Sequence, residues 1–151
     1  MEWAALITWV ATAGGGFFML ALWLREGGMR QAGRSGTLIR PPLILGHFGL
    51  AATGLVLWII YVASDSDVLA WIAFVLLLVV AVMGFTMFAI WLQQRRGPAP
   101  AAVGAPAAEG GSIGERPAER RFPVPVVLAH GALAAVTLVL VFLTAVGVGD
   151  S

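Results

Sequence analysis

The 151-residue chain contains no cysteine and no lysine, and only 11% of its residues are charged. The missing cysteine excludes disulfides, thiolate metal sites and cysteine nucleophiles. A water-soluble domain carries about 25% charged residues, whereas 60% of this chain is hydrophobic. There is too little polar surface to cover that apolar material, so lipid must surround much of the protein.

Four long apolar segments account for this composition. They cover about residues 3–24, 42–63, 68–92 and 124–147, and none contains a charged residue. A helix needs roughly 20 apolar residues to cross a bilayer core of about 30 Å, and backbone groups in lipid must be hydrogen-bonded within their own segment. We therefore expect an all-α integral membrane protein whose four transmembrane helices form a bundle in the lipid bilayer.

The basic residues predict the orientation, because all nine are arginines and they lie in only two connections. The first connection holds Arg25, Arg30, Arg34 and Arg40, and the second holds Arg95, Arg96, Arg116, Arg120 and Arg121. The opposite ends of the spans carry only acids: Glu2, Asp65, Asp67 and Asp150. The positive-inside rule then places both arginine-rich loops in the cytoplasm and both termini outside, in a plasma (inner) membrane.

Aromatic residues lie near the ends of the spans. Such residues commonly form belts at the two membrane interfaces. We expect the outer belt to contain Trp3, Trp58, Tyr61 and Trp71, and the inner belt to contain Trp23 and Trp91. Trp9 lies deeper, and the belt pattern does not explain it.

The second and fourth spans repeat one another, as do the first and third. Residues 42–57 and 125–140 are identical at nine of sixteen positions, including a proline and a histidine. Residues 16–24 and 84–92 are identical at six of nine. The chain therefore reads as two transmembrane hairpins, residues 1–66 and 67–151, in an up-down-up-down bundle. Residues 97–121 are rich in Pro, Ala and Gly and predict a flexible cytoplasmic linker that buries nothing.

His47 and His130 are the only histidines and the only ionisable residues within the four spans. Each lies five residues after a repeated proline, about 7–8 Å below the cytoplasmic surface at the rise of an α-helix. Ionisable residues inside a membrane usually face the protein interior and indicate a functional site. Diagonal helices of a bundle are roughly 12–14 Å apart, which suits two histidines that bind one b-type haem iron from opposite sides.

The surroundings favour the same cofactor. Small residues next to both histidines, and glycines 14–16 and 84 on the other two spans, would leave room for a flat macrocycle. The second and fourth spans begin at the cytoplasmic side, where free N–H groups of helix N-termini attract anions. Arg40 and Arg121 lie just before these helices, and we expect them to pair with the haem propionates.

Two alternatives remain open from the sequence. The histidines could hydrogen-bond across the bundle and serve only its structure, in a membrane scaffold or accessory subunit. Met19 and Met87 lie at a similar depth and could bind copper together with His47 and His130, since thioethers suit Cu(I). No span holds a carboxylate or a nucleophile with its base, so we expect no hydrolytic site, and no nucleic-acid partner.

The two histidines in a four-helix membrane bundle resemble the small membrane b-type cytochromes, in which haem is held between histidines of different helices. The resemblance covers the architecture and not a diagnostic sequence motif. It implies electron transfer, with a quinone or a partner oxidoreductase subunit. Larger members of that class carry two haems and four ligating histidines, so this chain, with two histidines, would hold at most one haem.

Overall fold

The computed structural model describes residues 1–31, 39–96 and 117–148. Its long helices are α1 (Glu2–Arg25), α3 (Pro41–Ser64), α4 (Asp67–Arg96) and α5 (Val124–Ala145), and a single-turn helix α2 (Gly28–Gln31) follows α1. All four long helices are long and apolar enough to cross a membrane. The four predicted spans are confirmed, and the protein has the composition and helices of a multi-pass membrane protein.

Local chemistry explains where the helices begin and end. α3 has Pro41 and Pro42 in its first turn, where the missing N–H has no partner to lose and the fixed φ suits a helix. It ends at Asp65, whose φ of 51° is left-handed, and a tight turn leads to α4. α4 extends four residues beyond its predicted end, because Gln93 to Arg96 favour helix and carry it out of the apolar region.

The long helices pack in a ring in which α1 contacts α3 and α5, and α4 contacts α3 and α5. The closest pairs are α1 with α5 and α3 with α4. The buried core lies in the half nearer the Asp65 turn and consists of Ala5, Trp9, Trp58, Tyr61, Ala70, Ala73, Leu77 and Val141. The outer faces are apolar, with Ile7 and Phe85 67% and 73% exposed, as lipid-facing surfaces are.

Buried positions recur at the offsets of the predicted repeat. The buried residues Ala5, Trp9, Thr12 and Trp23 of α1 fall 68 positions before Ala73, Leu77, Val80 and Trp91, which are buried in α4. The buried residues Gly54, Trp58 and Tyr61 of α3 fall 83 positions before Thr137, Val141 and Thr144, which are buried in α5. The two halves therefore bury the same faces, although most of the paired residues differ.

Several aromatics expected in interfacial belts are instead buried inside the protein. Trp58 and Tyr61 pack on each other with ring centroids 4.8 Å apart, and Trp9 packs against Trp58. Trp23 and Trp91 are also buried, whereas Trp3 and Trp71 are exposed. Position near the end of a span was the wrong guide, because these large rings fill space between helices rather than face lipid.

The end of the predicted linker is structured in its described residues, 117–121. Ala118–Arg121 forms a 3-10 turn, and Glu119 in this turn is fully buried. The composition of residues 97–121 predicted that nothing would be buried there, and Glu119 departs from that prediction because polar partners surround its carboxylate. Residues 97–116 lie outside the described residues.

Candidate functional site

The two histidines occupy matching positions on α3 and α5. His47 lies six residues after Pro41, the first residue of α3, and His130 lies six residues after Val124, the first residue of α5. Both side chains are partly buried. Their ring centroids are 6.4 Å apart and the ring planes are inclined by 57°. The structure thus brings together the two imidazoles that the repeat relates.

Each imidazole is held by a backbone carbonyl of a neighbouring helix. His47 Nδ1 lies 3.0 Å from the Val80 oxygen on α4, and His130 Nδ1 lies 2.9 Å from the Thr12 oxygen on α1. A carbonyl can only accept, so Nδ1 carries the proton and Nε2 of the neutral ring keeps its lone pair. This is the tautomer that metal-ligating histidines adopt, with the second nitrogen fixed by a backbone carbonyl.

Glycines on α1 and α4 make room for these rings. A Cβ at Gly16 would lie 3.1 Å from His130 Cε1, and a Cβ at Gly84 would lie 3.2 Å from His47 Cε1. Gly15 is also close, because its Cβ would lie 3.6 Å from His130 Nδ1. The first and third spans can therefore approach the imidazoles closely only where they lack side chains.

The carbonyl and glycine contacts of the two histidines recur at the same sequence offset, 68 residues, as the buried positions of α1 and α4. Val80 follows Thr12 by 68 positions and Gly84 follows Gly16 by the same number. Each histidine contacts the opposite half of the chain, because His47 meets α4 and His130 meets α1. The site is thus built by both halves in the same way.

The donor set fits haem better than a metal held by protein ligands alone. Within the described residues, no three His, Cys, Asp or Glu side chains form a group that could hold a metal ion. Two imidazoles suffice for haem, since the porphyrin supplies the other four ligands. The ring centroids of His47 and His130 are 6.4 Å apart, so the two imidazoles are close enough to contact one shared group.

Comparisons with protein-family models, with curated proteins and with solved structures found no match. Only the residues of the site themselves therefore indicate what the protein does.

The two arginines expected near haem propionates lie at the ends of their helices. Arg40 is the exposed N-cap residue of α3. Arg121 is exposed and its Nε lies 2.9 Å from a carboxylate oxygen of Glu26. The predicted pairing of Arg40 and Arg121 with propionates stays a prediction.

The N-termini of α3 and α5 offer fewer N–H groups than the sequence led us to expect. Pro41, Pro42 and Pro125 lack this group, and the amides of Leu43 and Val126 donate to the carbonyls of Arg40 and Pro123, respectively. The repeated prolines that start these helices thus remove most of the donors that would attract an anion. Dipole-based attraction for propionates is correspondingly weak.

Met19 and Met87, the sulfur ligands of the copper alternative, are partly buried. They follow Gly16 and Gly84 by three residues on α1 and α4. Their positions are equivalent in the two halves.

A polar cap closes the arginine-rich end of the bundle and was not predicted. It consists of Glu26, Gln31, Gln94 and the turn Ala118–Arg121. The Glu119 carboxylate accepts from the Ile39 amide at 3.4 Å and from Gln94 Nε2 at 3.0 Å, and Arg120 donates to the Gln94 carbonyl at 2.7 Å. The cap ties the two arginine-containing connections to each other on the side nearer the histidines.

Sequence reasoning also missed the state of Trp23 and Trp91, whose buried Nε1 atoms have no hydrogen-bond partner. Leaving such a donor unpaired costs about 1–3 kcal/mol. The sequence did mark these two tryptophans as equivalent, because both fall in the most similar part of the first and third spans.

Proposed function

We propose that the protein is a membrane electron-transfer protein that binds one b-type haem between His47 and His130. The observation that carries the proposal is the pair of converging imidazoles, each with Nδ1 bonded to a carbonyl and Nε2 left available. When bound, haem supplies reversible one-electron chemistry at its iron.

The chain's own residues would hold and tune this group. His47 and His130 supply the axial nitrogens, and the carbonyls of Val80 and Thr12 fix the tautomer and raise the basicity of the ligands. Gly16 and Gly84 allow α1 and α4 to approach. A haem held by two neutral histidines would supply electron transfer rather than oxygen binding.

We infer that the bundle has up-down-up-down topology and arose by duplication of a transmembrane hairpin. Support comes from contacts that run in opposite directions along neighbouring helices: Trp9 with Trp58 and Phe17 with Phe48 between α1 and α3. The recurrence of buried positions at the repeat offsets supports the duplication.

The same proposal includes the orientation. The arginine-rich loops lie in the cytoplasm, both termini lie outside, and the membrane is the plasma (inner) membrane. The arginine distribution supports the sidedness, and the redox partner we propose is a quinone or a partner oxidoreductase subunit, as the resemblance to b-type cytochromes implies.

An absorption spectrum of the full chain purified in detergent tests the cofactor. We expect a Soret band with the narrow reduced α-band of a bis-histidine haem, lost in His47→Ala and in His130→Ala. Thr53→Ala is the matched control, because the Thr53 hydroxyl donates only to its own helix at Gly49, and this variant should keep the full spectrum.

The other two functions give different results in the same preparation. A colourless, folded and metal-free wild type would contradict the haem proposal and favour a scaffold whose histidines are structural. Stoichiometric copper that disappears in Met19→Leu and Met87→Leu would replace haem with a copper-handling role.

A further inference from the structure

Two unpaired indole donors stand out in the described part of the chain. Trp23 and Trp91 are 0% and 3% exposed, and the Nε1 atom of each has no hydrogen-bond partner. The third buried side-chain atom without a partner, Gln94 Oε1, is an acceptor. A buried N–H that finds no acceptor within the protein needs one from outside it, such as water, an ion or a ligand.

Both tryptophans lie on the helix faces that contact the histidines. Trp23 follows Gly16 by seven residues and Trp91 follows Gly84 by seven, which is nearly two full turns and keeps each pair on one face. The tryptophans are about 10 Å further along the helix axes, towards the arginine-rich end.

The rings are fixed by different neighbours in the two halves. Trp23 lies directly beneath Gly28 of α2, where any side chain would collide with the indole. Trp91 packs on Phe88, and the guanidinium of Arg95 lies 5.0 Å from its ring centroid. What the halves share is the tryptophan itself, its burial and its unpaired N–H. A shared need for two donors explains this better than local packing does.

We propose that Trp23 and Trp91 each donate a hydrogen bond to one of the two carboxylates of the haem. The inference rests on the proposed function. Haem b carries two propionates, so the number of acceptors would equal the number of unpaired indole donors on α1 and α4. An ionised carboxylate accepts charge-assisted hydrogen bonds, which are stronger than neutral ones.

The assignment also accounts for features that the arginine prediction does not. Arg121 is engaged by Glu26, and the prolines at the starts of α3 and α5 remove backbone donors there. The indole donors are buried, where a hydrogen bond to a carboxylate is not weakened by competing water.

The test compares two probes on the full chain, prepared without haem and titrated in detergent. One probe is ferric haem, and the other is its dimethyl ester, in which both propionates are methylated and no longer charged. Binding is followed by the Soret band. The variants are Trp23→Phe, Trp91→Phe and the double variant, which keep an aromatic ring and lose the N–H.

We expect each single variant to weaken haem binding about tenfold and the double variant about a hundredfold, as the loss of hydrogen bonds to charged groups predicts. The ester should bind the wild type and all variants within about threefold of one another, since its esters accept only weakly. Trp58→Phe is the matched control, because Trp58 is buried and its Nε1 already donates to the Glu2 carbonyl at 3.3 Å. It should affect haem and ester equally.

Three outcomes would overturn the assignment. If haem affinity is unchanged in both single variants, the proposed hydrogen bonds from the tryptophans do not exist. The proposed function would remain intact. Equal losses for haem and ester would indicate a packing role for the tryptophans. A wild type that binds neither probe would overturn the proposed function and this inference together.

Discussion

The two histidines have the same essential contacts in otherwise different surroundings. His47 lies against α4, where Gly84 is next to Met83, whose methyl group crowds Gly46. His130 lies against α1, where both Gly15 and Gly16 leave room for the ring. The carbonyl bond to Nδ1 and the glycine next to Cε1 recur in both halves, whereas the other surroundings differ. The shared contacts therefore mark what the imidazoles require, and the differences mark what packing tolerates.

The same contrast holds in the core beyond the histidines. In the first half Trp9 packs over Gly54, where a Cβ would lie 3.0 Å from the indole. The corresponding residues of the second half are Leu77 and Thr137. A large ring over a glycine in one half is thus replaced by two residues of middle size in the other. The two halves therefore place side chains of different shape at these core positions, a kind of difference that cores tolerate.

The largest expected effect comes from filling the shared glycine positions. We expect Gly16→Leu and Gly84→Leu each to displace an imidazole and to reduce haem binding by about 3 kcal/mol, near the upper end of what overpacking costs. The measurement is the Soret titration of each variant. Gly14→Leu is the control, because a Cβ at Gly14 meets nothing within 4 Å; an equal loss in this variant would show that leucine disturbs α1 generally.

An intermediate effect on stability should come from replacing Trp9 and Gly54 in the first half by the residues at the corresponding positions of the second half, Leu77 and Thr137. Gly54→Thr alone should destabilise the protein by about 2 kcal/mol, because the new side chain collides with the rigid indole of Trp9. Adding Trp9→Leu, which installs the pair found at positions 77 and 137, should recover most of the loss. Thermal or denaturant unfolding in detergent measures both. A double variant less stable than Gly54→Thr would contradict the equivalence of the two core positions.

The smallest effect should come from the contact between the Thr12 and Thr137 hydroxyls, which lies near His130 and has no counterpart near His47 among the described residues. The Thr12 and Thr137 hydroxyls lie 3.5 Å apart, but each already donates its one proton to a carbonyl of its own helix. The contact between them is therefore weak. Thr137→Val should cost less than about 1 kcal/mol in unfolding free energy, in line with hydrogen bonds between membrane helices, and a larger loss would show that the hydroxyl pair acts as a true hydrogen bond.

The fold was largely predictable because apolar length and charge position are sequence properties. The four spans were predicted to within a few residues, and the repeat predicted that His47 and His130 would lie at equal depth. The carbonyls of Val80 and Thr12 could not be predicted as hydrogen-bond acceptors for the imidazoles, because every residue provides a backbone carbonyl. Trp58 was misassigned to a belt, since burial between helices depends on their rotation. Glu119 was missed because its hydrogen-bond partners, Ile39 and Gln94, come from two distant parts of the chain.

The ring order of the helices has a consequence for biogenesis. Each imidazole meets the first helix of the opposite hairpin, and α1 finds α5 only after the last span has entered the membrane. A nascent chain that stops after three helices presents one histidine with its carbonyl and glycine in place, yet lacks the other axial nitrogen. Capture of the proposed haem would then require all four helices to be in the membrane, and a chain with only three of them would not hold it.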